Sequence, residues 1–230
     1  MKTKPTSLII TFLLLGIISV FFTSCKKDND GESNTVKDFD GNVYHTVTIG
    51  TQTWMVENLK TTKYNDGTAI PLATDESQWP NINDAQPCYC WYNFNPVSYK
   101  DYGALYNWYV VNTGKLAPTG WHVPTDSDWT ILIDYLGGED LAGGKLKEIG
   151  TNHWKTPNTG ATNETGFTAL AGGAHYYDEF DDVAIYARFW SVTNYNTYYA
   201  MFRILSYDDS DIRGYEEPKA YGLSVRCIKD

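Results

Sequence analysis

The sequence has little positive charge and few of the residues that usually carry catalysis. Among its 230 residues, 18 Lys and Arg stand against 28 Asp and Glu, which gives a formal net charge of −10. Because nucleic acids and anionic membrane surfaces are bound by clustered basic side chains, this balance excludes both as expected ligands. The four histidines are scattered along the chain, and we expect His122 to pack within its motif rather than to react.

Catalytic motifs are also missing. The sequence contains neither a Gly-x-Ser-x-Gly nucleophile elbow nor a Gly-x-Gly-x-x-Gly dinucleotide loop. The segment Gly143-Gly144-Lys145 fails as a phosphate-binding loop, because Glu139 stands where the first Gly belongs and Leu146 replaces Ser or Thr. We therefore expect a protein that is not an enzyme.

One long apolar run, over residues 8–22, follows Lys2 and Lys4. Its length fits the apolar region of a signal peptide and falls short of the roughly 20 residues that a membrane-spanning helix needs. Thr23-Ser24-Cys25 resembles a lipobox, in which the cysteine is diacylated and the chain is cut before it, although Phe22 stands where Leu is usual. We expect a signal peptide over residues 1–24 and lipidation at Cys25; an ordinary signal peptide is the alternative.

The residues after Cys25 predict a tether over 25–37. Residues 26–34 are polar or charged, so they cannot bury enough apolar surface to fold. Their lysine- and acid-rich start resembles the signal that sends Bacteroidota lipoproteins to the outer face of the outer membrane. We expect a lipid-anchored protein of the outer membrane that faces the cell exterior; a plain linker is the alternative. Removal of residues 1–24 takes away two lysines and changes the net charge to −12.

The rest of the chain predicts one β-rich domain over residues 38–230, because no low-complexity segment or internal repeat divides it. Aromatic residues make up 15% of the sequence, which favours strands over a helical bundle. Alternating apolar residues over 43–49, the turn Gly50-Thr51 and a return strand over 52–56 predict a hairpin.

One helix is predicted over about residues 125–137. Thr125 offers a capping hydroxyl, apolar residues recur at helical spacing from Trp129 to Leu136, and Gly137-Gly138 ends the pattern. Further strands are predicted over 166–170, 187–192, 198–207 and 221–228, with acidic loops at 178–182 and 208–211.

Several motifs, in order along the chain, resemble the fibrobacter major paralogous domain, abbreviated FISUMP. The resemblance covers nearly all of residues 38–230. Its motifs are Asp40–Tyr44, Trp54–Leu59, Tyr102–Trp108, Pro118–Thr125, Gly166–Leu170, Phe189–Ser191 and Tyr221–Cys227. Relatives usually carry Cys before Pro-Thr-Gly-Trp, where this chain has Ala117, so a family disulfide at that position is absent.

The second half of the chain also resembles the C-type-lectin-like fold, in particular its formylglycine-generating branch. There a Pro-Thr-acid segment opens a helix with an early Trp, as from Pro124 to Trp129, and the last strand ends in Gly-x-x-Val-Arg-Cys. The resemblance implies an α+β domain with a twisted antiparallel sheet, one clear helix and long loops. Formylglycine chemistry is not expected, because that branch uses a reactive cysteine pair and Cys227 stands alone.

Three cysteines remain if Cys25 is lipidated. Cys88 and Cys90 lie on one face of a strand and cannot readily bond each other, but either could pair with Cys227 in an oxidising envelope. The alternative is three buried, reduced thiols. No zinc site is expected, since the paired ligand spacing is missing.

Two kinds of ligand site remain open. Asp208, Asp209 and Asp211 could offer oxygen ligands to calcium, although exposed acidic turns explain them equally well and the lectin-type calcium motifs are missing. Metal-free sugar binding would use aromatic rings, and packing in the core is the alternative for each of them. The aromatic candidates are Trp190, Tyr195, Tyr198 and Tyr207.

These features together predict a non-catalytic, surface-exposed binding or adhesion module, with glycans or a surface protein as its partner. A structural or assembly component of the envelope that binds a protein partner is one alternative. A glycoside hydrolase is another, and it would need two carboxylates about 5–10 Å apart across a cleft.

Overall fold

In the computed structural model of the chain, the described residues are Met1 and residues 34–230. Apart from Met1, the predicted signal peptide lies outside them, as do Cys25 and most of the predicted tether. The first strand begins at Thr35, earlier than the predicted domain start at Asp38. None of the helices described is long and apolar enough to cross a membrane.

The chain is an α+β protein with mostly antiparallel strands and few helices. Its strands are β1 (Thr35–Lys37), β2 (Val43–Ile49), β3 (Gln52–Met55), β4 (Tyr89–Cys90), β5 (Leu105–Tyr106), β6 (Trp121–His122), β7 (Gly172–His175), β8 (Phe180–Val183), β9 (Tyr186–Asn194), β10 (Tyr199–Ser206), β11 (Arg213–Pro218) and β12 (Ile228–Lys229). Within residues 34–230, the α-helices are α1 (Pro96–Tyr99), α2 (Trp108–Val111), α3 (Asp126–Tyr135) and α4 (Glu139–Leu146), and three 3₁₀ turns lie at Glu76–Gln78, Tyr92–Phe94 and Lys100–Tyr102.

The predicted hairpin is confirmed and forms part of a five-stranded sheet of order β1-β2-β3-β12-β6. Ile49 pairs with Gln52, so the connection is the two residues Gly50 and Thr51. Gly50 has a φ of +62°, which only glycine adopts without strain at such a turn. The end of the chain returns to this hairpin, because Ile228 pairs with Trp54.

The predicted strands over 187–192 and 198–207 are confirmed as β9 and β10, and β11 completes a three-stranded antiparallel sheet of order β11-β10-β9. Trp190 and Phe189 point to opposite faces of β9, as neighbours on a strand must. Each enters a different hydrophobic core, so this sheet separates the two largest clusters of buried side chains.

Two predicted strands are wrong. Residues 166–170 make one isolated bridge, from Ala169 to Lys147, and the strand follows them as β7. Residues 221–227 form no strand and pair only through isolated bridges at Gly222, Leu223 and Ser224, and β12 begins at Ile228. Part of the predicted acidic loop at 178–182 is strand β8, which pairs with β7.

The predicted helix is confirmed as α3. The Thr125 side chain accepts a hydrogen bond from the Asp128 N–H, and the Asp128 carboxylate accepts one from the Thr125 N–H. This reciprocal cap fixes the helix start. Helix α4 follows directly and was not predicted, because Gly143 and Gly144 interrupt any apolar periodicity.

Candidate functional site

A cavity of about 200 Å³ opens on one face of the sheet of β9, β10 and β11. In an antiparallel sheet, directly paired residues share a face. Ile204 pairs with Arg213, and Ser206 pairs with Tyr186. Tyr215 lies two residues beyond Arg213 and so projects from the same face. We call this site the tyrosine cavity, and its lining residues are Tyr186, Ile204, Ser206, Asp209, Asp211, Arg213 and Tyr215.

Two tyrosines from the outer strands supply its aromatic lining. Tyr186 is partly buried on β9, and Tyr215 is 53% exposed on β11. Both strands neighbour β10, so the two side chains start from strands about 10 Å apart, with Ile204 between them. The cavity is smaller than the roughly 300–1,000 Å³ that drug-sized ligands occupy, and so it suits one small ring.

The ring of Tyr186 is held in place by Arg188. The guanidinium of Arg188 lies 4.7 Å from the centroid of Tyr186 and 5.5 Å from that of Tyr176. Its Nη1 donates to Asp182 Oδ2 at 2.7 Å, and the Tyr176 hydroxyl donates to the same oxygen at 2.7 Å. A cation enclosed in this way fixes the orientation of both rings.

Lys147 binds the backbone of the acidic loop 208–211 and of the end of β10 from the buried side. Its side chain is fully buried, and its Nζ donates to the carbonyl oxygens of Thr159, Ser206 and Asp209 at 2.8, 2.8 and 2.5 Å. These bonds use all three donors of the ammonium group. Burial lowers the pKa of Lys147 to about 8, against the attraction of the neighbouring Asp209, Asp208 and Asp211 carboxylates. Lys147 therefore sets the position of the loop that carries Asp209.

The loop also packs directly on helix α4. A Cβ atom added at Gly143 would lie 1.9 Å from the carbonyl oxygen of Asp211, and one at Gly144 would lie 2.4 Å from that of Gly160. The N–H of Gly144 donates to Ser210 O at 2.9 Å. Glycine is required at these positions because the backbones touch.

Of the charged groups that line the tyrosine cavity, Arg213 is paired with three carboxylates and Asp209 with no described cation. Arg213 donates from Nε to Asp211, from Nη1 to Glu139 and from Nη2 to Asp140 at 2.7, 2.9 and 2.6 Å. Asp209 Oδ1 accepts the N–H of Asp211 at 3.1 Å, and no Lys or Arg side chain of the described residues is bound to this carboxylate. Burial and the neighbouring Asp211 carboxylate raise the pKa of Asp209. The cavity thus offers two tyrosine side chains together with a carboxylate that forms no ion pair with the described Lys and Arg residues.

The family model of the Fibrobacter succinogenes major domain (Fib_succ_major) matches residues 47–229. The chain belongs to this family. The match contains every residue of the tyrosine cavity. No curated protein and no solved structure shows significant similarity to the chain.

Three of the motifs on which the resemblance rests meet in the interior of the Fib_succ_major domain. Arg226 is fully buried, and its guanidinium donates to the side-chain oxygen of Asn58 at 2.9 Å, to the carbonyl oxygen of Thr168 at 2.9 Å and to that of Phe167. Three motifs from distant parts of the chain are joined at this one side chain. Their residues carry the fold rather than the cavity.

The predicted aromatic candidates of the Fib_succ_major domain separate into buried and exposed groups. Trp190 is wrong as a sugar platform: it is fully buried, and its indole N–H donates to Tyr106 O at 2.8 Å. Tyr195 and Tyr198, 56% and 63% exposed, lie in the turn between β9 and β10, outside the tyrosine cavity. Tyr207 is partly buried against the core, with Lys155 Nζ 5.0 Å from its ring centroid.

The acidic candidates do not form a calcium site. Among the described residues, no group of three His, Cys, Asp or Glu side chains is placed to hold a metal ion. Asp208 accepts a hydrogen bond from the Ser206 hydroxyl, and Asp211 is paired with Arg213. Asp209 and Asp211 line the tyrosine cavity, whereas Asp208 is exposed beside it.

The candidate disulfide is not formed. Cys88, Cys90 and Cys227 are buried free thiols in this structure. Cys88 and Cys90 belong to one small hydrophobic cluster, and Cys227 belongs to a separate core, so packing directs the thiols apart. His122, which we expected to be packed, is instead partly exposed. Its Nδ1 lies 2.7 Å from Asp230 Oδ1, and its Nε2 lies 3.3 Å from Asp128 Oδ2.

A second cavity, of about 360 Å³, lies beside Trp79. Trp79 is only 7% exposed, its ring centroid lies 4.4 Å from that of buried His175, and its N–H donates to Ala220 O. The indole ring thus belongs to the core, and its polar atom is already satisfied. The lining of this cavity is Pro71, Ser77, Gln78, Trp79, Pro80, Asn81, Asp84, Gln86, Pro87 and Cys88.

Sequence reasoning missed Tyr186 and Tyr215. Tyr186 stands one residue before the predicted strand 187–192, and alternation along β9 would have placed it on the face of Arg188. Tyr215 follows Gly214 and precedes two glutamates, which resembles a turn rather than a strand. Pro218 supports the edge position of β11, because proline is tolerated at sheet edges.

Proposed function

We propose that this chain is a lipid-anchored binding module of the outer membrane that holds glycans in the tyrosine cavity. The proposal rests on the arrangement of Tyr186 and Tyr215 beside Asp209, whose carboxylate is bound by no side-chain cation within residues 34–230. Aromatic faces pack against the C–H face of a sugar ring, and carboxylates accept hydrogen bonds from its hydroxyls.

The geometry of the acids supports binding rather than hydrolysis. Asp209 and Asp211 come from one turn, with the N–H of Asp211 3.1 Å from Asp209 Oδ1. Glycosidases place two carboxylates about 5–10 Å apart on either side of the scissile bond. Asp211 is also bound to Arg213, so it is not free to attack or to donate a proton.

The proposed anchor rests on the sequence. The apolar run at 8–22, the small residues before Cys25 and the polar residues after it together support lipidation and export. The acid-rich tether supports display on the outer face of the outer membrane. Display outside the cell would bring the tyrosine cavity to environmental polysaccharides.

The proposed fold is C-type-lectin-like. Three features support it: β12 at the chain end pairs with β3 near its start, a Thr-capped helix α3 precedes the sheet of β9 to β11, and long connections join the short strands of residues 56–125. The fold by itself leaves the ligand open.

A protein partner is a second candidate, favoured by apolar side chains on α3 and α4. Ile131, Tyr135 and Leu141 are exposed, and Ile131 and Tyr135 lie one helical turn apart. Exposed apolar groups on neighbouring helices are typical of protein contact surfaces.

The test is binding of the purified 230-residue chain to a broad glycan and polysaccharide array, with calcium and with chelator. The proposal predicts specific binding that survives chelation. Binding that requires calcium, or no binding to any glycan while a cell-surface protein is captured through Ile131 and Tyr135, would contradict it.

A further inference from the structure

We infer that the tyrosine cavity selects glycans that carry protonated amino groups, such as chains of glucosamine. The inference rests on the proposed function, because it names the class of glycan that the same cavity takes. It comes from the way in which charges and ring faces are arranged there.

The cation that lines the cavity is already committed. Arg213 is bound by Asp211, Glu139 and Asp140, with N to O distances of 2.6–2.9 Å. Each of its three nitrogens donates to a carboxylate. A uronic acid or a sulfated sugar would have to displace one of these partners, so the cavity has no free cation for an anionic ligand.

One carboxylate of the cavity is left without a cation. Among the described residues, none of the ion pairs includes Asp209. Lys147 lies behind the loop, but its ammonium donates to three carbonyl oxygens, one of them the Asp209 carbonyl. The Lys147 charge attracts Asp209, but no described Lys or Arg forms a direct ion pair with its carboxylate, and an ammonium group on the ligand would supply one.

The ring faces favour the same charge. Aromatic rings attract cations, and Tyr186 already does so with Arg188, at 4.7 Å from its centroid. The second ring, Tyr215, is exposed on the opposite strand. An ammonium bound in the cavity would lie among Tyr186, Tyr215 and Asp209, all of which line it.

The rim adds to this preference. Asp208, Glu139 and Asp140 are exposed close to the cavity lining. Such a surplus of acids attracts cationic ligands and repels anionic ones over a Debye length. Neutral sugars would lack this charge attraction and would be held by the tyrosines and by hydrogen bonds from their hydroxyls.

The experiment measures the affinity of the purified 230-residue chain for two glucosamine hexamers of equal length, one with free amines and one fully N-acetylated. An alginate hexamer serves as the anionic arm, and a lysine tetrapeptide represents an amine from a protein. Asp209→Asn is the test variant, since an amide can still accept the Asp211 N–H. Asp134→Asn is the control, because it makes the same charge change on an exposed residue of α3.

We expect the free-amine hexamer to bind about tenfold more tightly than the acetylated one, a difference typical of one partly desolvated charge pair. Asp209→Asn should abolish that difference and leave the acetylated hexamer unaffected, while Asp134→Asn should change neither. Equal affinity for the two hexamers would overturn the inference and leave the proposed function intact.

Other outcomes would overturn it differently. Tighter binding of alginate would show that the cavity does not favour cationic glycans. A preference for the free-amine hexamer that persists in Asp209→Asn would show that Asp209 does not bind the ammonium group. Binding of the lysine tetrapeptide through Asp209 without binding of either hexamer would assign the cavity to proteins. Failure of all glycans, on the array as well as here, would instead refute the proposed function.

Discussion

The ammonium nitrogen of Lys147 lies 2.5 Å from the carbonyl oxygen of Asp209, so a buried side chain from the end of α4 holds the loop that lines the tyrosine cavity. The same nitrogen binds the carbonyl of Ser206, at the end of β10. One residue thus couples helix, sheet and loop, and the cavity exists because these three elements meet.

Lys147→Met is expected to destabilise the fold by about 3 kcal/mol or more, because it leaves three buried carbonyl oxygens without donors. Urea unfolding followed by tryptophan fluorescence measures the loss. Lys145→Met is the matched control: its exposed pair with Glu164 is worth at most about 1 kcal/mol. Equal small effects in both variants would show that the three hydrogen bonds of Lys147 do not stabilise the loop.

Gly143→Ala is expected to separate α4 from the loop. Its Cβ would stand 1.9 Å from Asp211 O, so the backbones must move apart, at a cost of about 2 kcal/mol or more. Thermal unfolding checks this, with Leu141→Ala on the exposed side of α4 as the control. A wild-type melting temperature for Gly143→Ala would mean that the helix and loop are not in contact.

Trp190→Ala is expected to destabilise the fold strongly, and Tyr215→Ala only slightly. Trp190 is fully buried, and its loss should cost about 3–5 kcal/mol. Tyr215 is half exposed, and its loss should change stability by less than about 1 kcal/mol. Chemical denaturation of both variants tests this, and a wild-type stability for Trp190→Ala would contradict the burial of its ring.

His175 is expected to lower the free energy of unfolding as pH falls below about 6.5. Burial lowers the pKa of His175 below 6.5, although its hydrogen bond to Glu76 opposes the shift. In that range the unfolded chain binds a proton that the folded chain does not, so the free energy of unfolding decreases with falling pH and is unaffected by this group above 6.5. His175→Phe should flatten the slope measured by urea unfolding at pH 5–7; an unchanged slope would assign it to other groups.

The three buried thiols are expected to react only on unfolding. Burial raises the pKa of Cys88 to about 11 and that of Cys227 further, so little thiolate exists at neutral pH. A thiol-reactive dye should label Cys88, Cys90 and Cys227 quickly in denaturant and slowly in buffer. If only one of the three thiols is labelled in denaturant without reductant, the other two form a disulfide, as the sequence had suggested.

Local sequence signals were sufficient where structure is local. The cap at Thr125, the two-residue turn at Gly50 and the alternation in β9 and β10 all depend on neighbouring residues, and each was predicted correctly. Helix α4 and strand β11 depend on contacts with distant segments, such as Gly143 against Asp211, which no local pattern reveals.

The candidate site was predictable only in part for the same reason. Asp209 and Asp211 were identified by their acidity, and the structure places them at the tyrosine cavity, but it does so beside two tyrosines rather than around a metal. From the sequence, Trp190 and Tyr198 were equally suitable candidates for sugar binding. The sequence could not separate them, because their burial depends on which face of the sheet packs against a core.

The most direct test of the account is the affinity of Tyr215→Ala for the strongest glycan found on the array, compared with Tyr198→Ala. Both variants remove an exposed tyrosine from the same sheet region, but only Tyr215 lines the tyrosine cavity. The account predicts at least about tenfold weaker binding for Tyr215→Ala, the loss of one stacking contact, and wild-type affinity for Tyr198→Ala. Unchanged binding in Tyr215→Ala, or a loss confined to Tyr198→Ala, would contradict it.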